Sequence, residues 1–163
     1  MKKILNIILL AVLTVLSSCG SDSETITDAQ SPQLFGVYQV NSGNGVLGKD
    51  VIVFTDLDIV SFNPATKEIK FKESAQINNI PIYSEIVIKH YAETLFTITA
   101  YINSVVSRAY DDLVLFRDVD GKYYLNDNYP DYWKPEETKK NADKRSDGWN
   151  KFLKILKDQG RIK

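Results

Sequence analysis

From residue 33 onward, apolar and polar positions fall into short runs of β-branched and aromatic residues separated by turn chemistry, the habit of antiparallel sheet. Residues 34–40 and 51–55 read as two such runs, joined through Asn41, Ser42, Gly43, Asn44 and Gly45. That connection has the composition of an anion cradle, but no helix follows to aim its N-terminus at a phosphate, so it reads as a plain loop. Residues 59–62 and 68–71 flank Asn63-Pro64-Ala65-Thr66, with proline at the favoured second position of a turn, and predict a hairpin. In its second arm Ile69 and Phe71 alternate with Glu68, Lys70 and Lys72, giving one buried and one solvated face. Residues 85–91 and 94–102 follow, and in the latter Phe96, Ile98, Ala100 and Ile102 share a face. Residues 113–116 form a continuous apolar run, as expected of a strand covered on both sides. Asp120-Gly121 separates it from 122–126, a second hairpin signal because glycine tolerates the positive φ of the turn.

The C-terminus changes period. Thr138, Ala142, Arg145, Trp149, Phe152, Leu153 and Leu156 recur at spacings that occupy about a third of a helix circumference. Pro135 suits the first helical position, Glu136 and Glu137 the positive end of the dipole, and Gly160 the C-terminal cap. An amphipathic helix over 136–159 is predicted. Gly148 is its weak point, about 1 kcal/mol less favourable than alanine, and Ser146 is able to cap a second, shorter helix. Because Ala142 and Arg145 continue the stripe of Trp149, one helix is expected, docked through Trp149, Phe152, Leu153 and Leu156. The fold class is therefore α+β over 33–163: an antiparallel sheet of about seven strands with the C-terminal helix packed on it. A β-sandwich with an appended helix is the alternative.

Composition adds a compartment. The 163 residues, 44% apolar and 25% charged, suit one globular domain, and a single cysteine and a single histidine leave neither a disulfide framework nor a Cys- or His-rich metal site. Lys2 and Lys3 precede an apolar run over 4–16 that is too short for the ~20 residues of a spanning helix. It ends in Leu16-Ser17-Ser18-Cys19, which resembles the lipobox of bacterial lipoproteins. The resemblance implies a signal peptide over 1–18, cleavage before Cys19 and acylation of its thiol. The lipid on Cys19 is then the membrane contact. The remaining chain has eighteen basic against twenty-one acidic residues, a net charge of −3. A mildly acidic chain without a basic block draws in neither nucleic acid nor an anionic membrane face.

Residues 19–32 are polar and read as an acidic, flexible tether. Asp22 and Glu24 resemble the signals that send lipoproteins to the cell surface in Bacteroidetes, and they read equally well as a solvated linker. No aspartate directly follows Cys19, which by resemblance to the enteric sorting rule implies the outer membrane.

Candidate chemistry is sparse. His90 lies in phase with Ile86 and Ile88 and reads as a residue against the core or at a sheet edge, and no Gly-x-Ser-x-Gly elbow presents a nucleophile. Asp111 and Asp112 are adjacent, so on a strand they face opposite ways and read as loop residues before a strand. Asp118, Asp120 and Gly121 start like a calcium loop, but Tyr129 stands where the twelfth-position glutamate belongs. The stretch from Tyr123 to Trp133 concentrates aromatics with amides and carboxylates. Within it Tyr129, Tyr132 and Trp133 are the candidate ligand-binding residues, since sugar rings stack on flat aromatic faces while hydroxyls meet polar groups. The plainer reading is that these rings cover the end of the core.

Three stretches, DIVSFNPATKEIKF (58–71), GKYYLNDNYPD (121–131) and KRSDGWNKFLKILK (144–157), resemble a group of secreted lipoproteins from Bacteroidales. The resemblance implies the compartment and a single small domain and carries over no site residues. The expected function is a non-catalytic, cofactor-free binding protein, lipid-anchored at the outer membrane or cell surface, whose partner is a glycan or an envelope component. An accessory subunit of an envelope complex is the first rival. A hydrolase is the second, and it needs two carboxyl groups facing one pocket at about 5–10 Å.

Overall fold

The computed structural model describes residues 31–39, 49–105 and 107–163, so Cys19, the tether up to Gln30 and the loop over 41–48 lie outside the described residues. The alternating segments form eight strands: β1 (Leu34–Gln39), β2 (Asp50–Thr55), β3 (Ile59–Phe62), β4 (Glu68–Phe71), β5 (Ser84–His90), β6 (Glu93–Asn103), β7 (Val114–Arg117) and β8 (Tyr123–Asn126). They make one sheet in the order β2-β1-β5-β6-β7-β8-β4-β3. The chain-adjacent strands β2 and β3 thus occupy opposite ends of the sheet, yet only the 3-10 turn Asp56–Asp58 separates them. Three residues cannot span a flat eight-stranded sheet, so it curls into a nearly closed barrel.

The β-rich architecture with C-terminal helical structure matches expectation, while its details correct three points. Among the described residues there are eight strands rather than about seven. The sheet is mixed, because β6 and β7 run parallel with Thr99 opposite Val114 and Ala100 opposite Leu115. Parallel pairing requires the chain to return along β6 between the end of that strand and the start of β7. The expected single helix is broken at Arg145 into α1 (Pro135–Lys144) and α2 (Ser146–Asp158).

The break is one residue wide. Arg145 N–H donates to the Asn141 carbonyl at 3.2 Å and Trp149 N–H donates to the Arg145 carbonyl at 2.9 Å, so backbone bonds continue across it. Arg145, with its side chain only 8% exposed, is held by ion pairs to Asp112 and Asp127. Three residues on, α2 lies directly against the backbone of β6. Each helix therefore meets its own docking constraint, and the kink reconciles them.

Helix α2 buries Phe152, Ile155 and Leu156 in the same core as Leu34, Ile59, Ile69, Ile86, Ile98 and Leu115. Phe62, Phe96, Trp149 and Phe152 pack around one another with ring centroids 5.5–6.2 Å apart. Beyond α2 the chain runs beside β3: Phe62 N–H donates to the Arg161 carbonyl at 2.8 Å and Lys163 N–H donates to the Phe62 carbonyl at 3.0 Å. That pairing covers an otherwise open strand edge.

Gly148 illustrates how tightly α2 sits. A Cβ there would overlap the Leu95 carbonyl oxygen and stand 2.8 Å from its carbonyl carbon. Helix propensity predicts that Gly148→Ala stabilises by about 1 kcal/mol, whereas the contact with backbone predicts a loss of about 1–3 kcal/mol as α2 is pushed off the sheet. A urea melt separates the two by sign, and a stabilised variant would show that the approach is looser than described.

Candidate functional site

Strand β4 pairs with β8 over only two residues, Glu68 opposite Tyr124 and Ile69 opposite Tyr123. Past Ile69 the two strands part, and a cleft of about 410 Å³ opens between the end of β4 and the β7–β8 hairpin. Its third wall is the loop from Lys72 to Ile80. This loop is tied down over the β2–β3 seam: Lys72 N–H donates to the Asp58 carbonyl at 2.8 Å and Gln76 N–H donates to the Val53 carbonyl at 2.7 Å. Ile77 and Ile80 are buried beneath it.

Asp58 is the loop's polar anchor. Its carboxylate accepts from Ser74 Oγ at 2.7 Å and from the Thr55 N–H and Oγ1 at 2.8 and 2.9 Å. Burial by itself would raise this carboxyl, but those hydrogen bonds and the Lys72 charge outweigh it and hold it below the ordinary carboxylate value. Its contribution is thus present above that ordinary value and is lost as pH falls through the lowered one.

Inside the cleft, Tyr123 links two walls. Its hydroxyl donates to Asn78 Oδ1 at 2.7 Å, its ring meets Phe71 edge-on at 5.8 Å, and the Arg117 guanidinium lies 5.7 Å from the ring centroid. Ile69, Phe71, Ala75 and Ile77 supply the apolar lining, while Lys70, Lys72, Glu73 and Lys122 stand exposed at the rim. Lys70 pairs with Glu68 at 3.3 Å. An aromatic and aliphatic floor under a rim of charges and an amide suits a small polar ligand with apolar faces.

The residues singled out from sequence are distributed elsewhere. Tyr129 is half-buried, stacks on Phe116 at 5.6 Å and donates from its hydroxyl to the Asn103 carbonyl at 3.3 Å. It also pairs with Tyr110 through backbone hydrogen bonds, so it braces the chain as it leaves the sheet. Tyr132 is 78% exposed, and Trp133 is 38% exposed with the Lys134 ammonium 5.7 Å from its ring. Asn128 Nδ2 donates to the carbonyls of Asp131 and Trp133 at 3.1 and 2.9 Å, which shapes the elbow. Tyr129 is therefore engaged within the fold, while Tyr132 and Trp133 present ring surface to solvent.

His90 ends β5, with its ring 4.6 Å from that of Tyr91, far along the sheet order from the cleft. Asp111 and Asp112 precede β7 and serve the helices: the Asp111 carbonyl accepts from Asn141 Nδ2 at 2.9 Å, and Asp112 pairs with Arg145. Asp118 closes the β7–β8 turn, its Oδ1 accepting from Lys122 N–H at 2.8 Å, and Gly121 adopts φ 81° there. Among the described residues, no group of three His, Cys, Asp or Glu side chains is placed to hold a metal ion.

Lys122, Asn78 and Lys72 were not distinguishable in the sequence as site residues. Lys70 and Lys72 carry the alternation of any solvated strand face, and only the non-local pairing of β4 with β8 turns that face into the wall of a cleft. The chain matches no family model, no curated protein and no solved structure.

Proposed function

We propose that this protein is a non-catalytic binding domain, held at the outer membrane or cell surface by acyl chains on Cys19, and that its ligand is a glycan or another envelope component seated in the β4–β8 cleft. The observation that carries the reading is the cleft itself, in which Phe71 and Tyr123 offer ring surface beside Asn78, Lys122 and Glu73. A volume of about 410 Å³ lies within the range of small-molecule pockets. The cleft replaces the aromatic elbow as the leading site, because Tyr129 is occupied within the fold.

The anchor is tested by Cys19→Ser, which is expected to abolish acyl labelling and release the protein from the detergent-extractable membrane fraction. Persistent labelling would refute it. The ligand is tested by retention on an array of envelope and dietary glycans. Lys122→Ala combined with Asn78→Ala is expected to weaken retention by about tenfold with little change in melting temperature, since both positions are exposed. Loss of retention in Trp133→Ala but not in the cleft variant would move the site to the elbow. A protein that retains no glycan favours the accessory-subunit reading, which draws support from Val51 and Ile52, 41% and 52% exposed on the edge strand β2.

A further inference from the structure

We infer that the groove between α2 and the β3–β4 turn is a second binding site, and that it takes a small anionic amphiphile, an acyl chain headed by a carboxylate. Pro64 from the turn, Leu153 from α2 and Ile162 from the segment beside β3 form an apolar floor. Asn150, Lys154 and Lys157 complete the lining, and the groove holds about 370 Å³. No carboxylate lines it. The β4–β8 cleft differs in this respect, since there Glu68 and Glu73 stand among the lysines.

Positive charge predominates at the groove for two reasons. Lys157 has no ion-pair partner among the described residues, and the partner of Lys154 is Asp158 at 2.7 Å, an exposed pair one helical turn away. Such a pair is weak and yields readily to a better-placed anion. On a longer scale, residues 134–163 carry ten lysines and arginines against five aspartates and glutamates, whereas residues 31–133 carry eight against thirteen. The excess is spread thinly along the sequence and forms no block; Lys134, Arg145 and Lys151 pair with carboxylates of the barrel, while Lys157 keeps its charge at the groove, where it raises the local concentration of anions.

The floor decides what kind of anion. A sugar needs hydrogen-bond partners around its ring, and the only uncharged polar side chain here is the Asn150 amide. A molecule with an apolar body and a single negative head places carbon on Pro64, Leu153 and Ile162 while its head reaches Lys154 and Lys157. The volume lies at the lower end of the range for small-molecule pockets, which fits one such molecule rather than the surface of a folded partner.

Titration of the purified protein with sodium decanoate, followed by methyl NMR and calorimetry, tests the inference. Expected is saturable binding with shifts at Leu153 and Ile162, weakened by salt and reduced about tenfold in Lys154→Gln combined with Lys157→Gln. Decyltrimethylammonium, the same chain with the opposite head charge, is expected to leave those methyls unmoved. Shifts confined to the cleft around Phe71 and Tyr123, equal binding of the cationic analogue, or decanoate affinity unchanged in the double variant would each overturn it. Both lysines are exposed, so the variant keeps its fold, and the shift map locates the site without any variant. Failure here leaves glycan retention in the β4–β8 cleft untouched, so the two sites stand or fall separately.

Discussion

Phe152→Ala is expected to lower the stability of the protein by about 3–5 kcal/mol, the range for truncating a buried phenylalanine. Phe152 is 2% exposed and its ring lies 5.6 Å from Phe96 and 6.2 Å from Phe62, so it bridges α2 to two strands at once. Its loss opens a cavity that neither strand can fill, because β6 is hydrogen-bonded on both sides and β3 is pinned between β4 and the segment at Ile162. Lys151→Ala, one residue away, removes only an exposed ion pair to Glu93 and should change stability by less than about 0.5 kcal/mol. Denaturant melts of the two variants check the helical phase, and equal losses would contradict it.

Asp56→Ala has the second large effect, about 3–5 kcal/mol, as expected when several buried N–H donors lose their common acceptor. The Asp56 carboxylate is fully buried and accepts from Gln33 N–H at 2.9 Å, from Leu34 N–H at 3.1 Å and from the Gln159 side-chain amide. One side chain thus ties the start of β1 and the end of α2 to the turn that brings the two sheet edges together. Alanine leaves buried donors without acceptors, whereas Asp56→Asn keeps one acceptor oxygen and is expected to lose less. Hydrogen exchange at the Leu34 amide gives a local readout: protection should fall in Asp56→Ala by more than in Asp56→Asn. Equal protection in both variants would show that the carboxylate is not what holds that amide.

Asp56 also marks where sequence reading stops. As the first residue of an Asp-Leu-Asp triplet between apolar runs it looks like ordinary turn chemistry, which Asp58, two residues on, in part is, since it bonds Thr55 three residues back as well as Ser74. The partners of Asp56 lie 22, 23 and 103 residues away. Gly148 is similar. By propensity alone it weakens a helix, and its purpose lies in Leu95, on a strand more than fifty residues earlier. The aromatic stretch meets the same limit: Tyr129, Tyr132 and Trp133 share a composition, and only the backbone pairing of Tyr129 with Tyr110 sets its half-buried ring apart from the exposed ring of Tyr132.

Neighbours a few residues apart enforce a good part of this structure. The β3–β4 hairpin closes because Asn63 Oδ1 accepts from Ala65 and Thr66 N–H at 2.9 and 3.2 Å, and the β7–β8 hairpin because Gly121 takes a positive φ beside Asp118. The alternation of Phe96, Ile98, Ala100 and Ile102 put one face of β6 inside, and the stripe through Trp149, Phe152 and Leu156 set the buried face of α2. Tertiary structure alone decided the order of the strands, the parallel step from β6 to β7, the kink at Arg145, the meeting of the sheet edges and both grooves. Those features depend on which distant segments gain most burial and hydrogen bonding against the entropy of closing long loops, a sum over the whole chain that no local window contains.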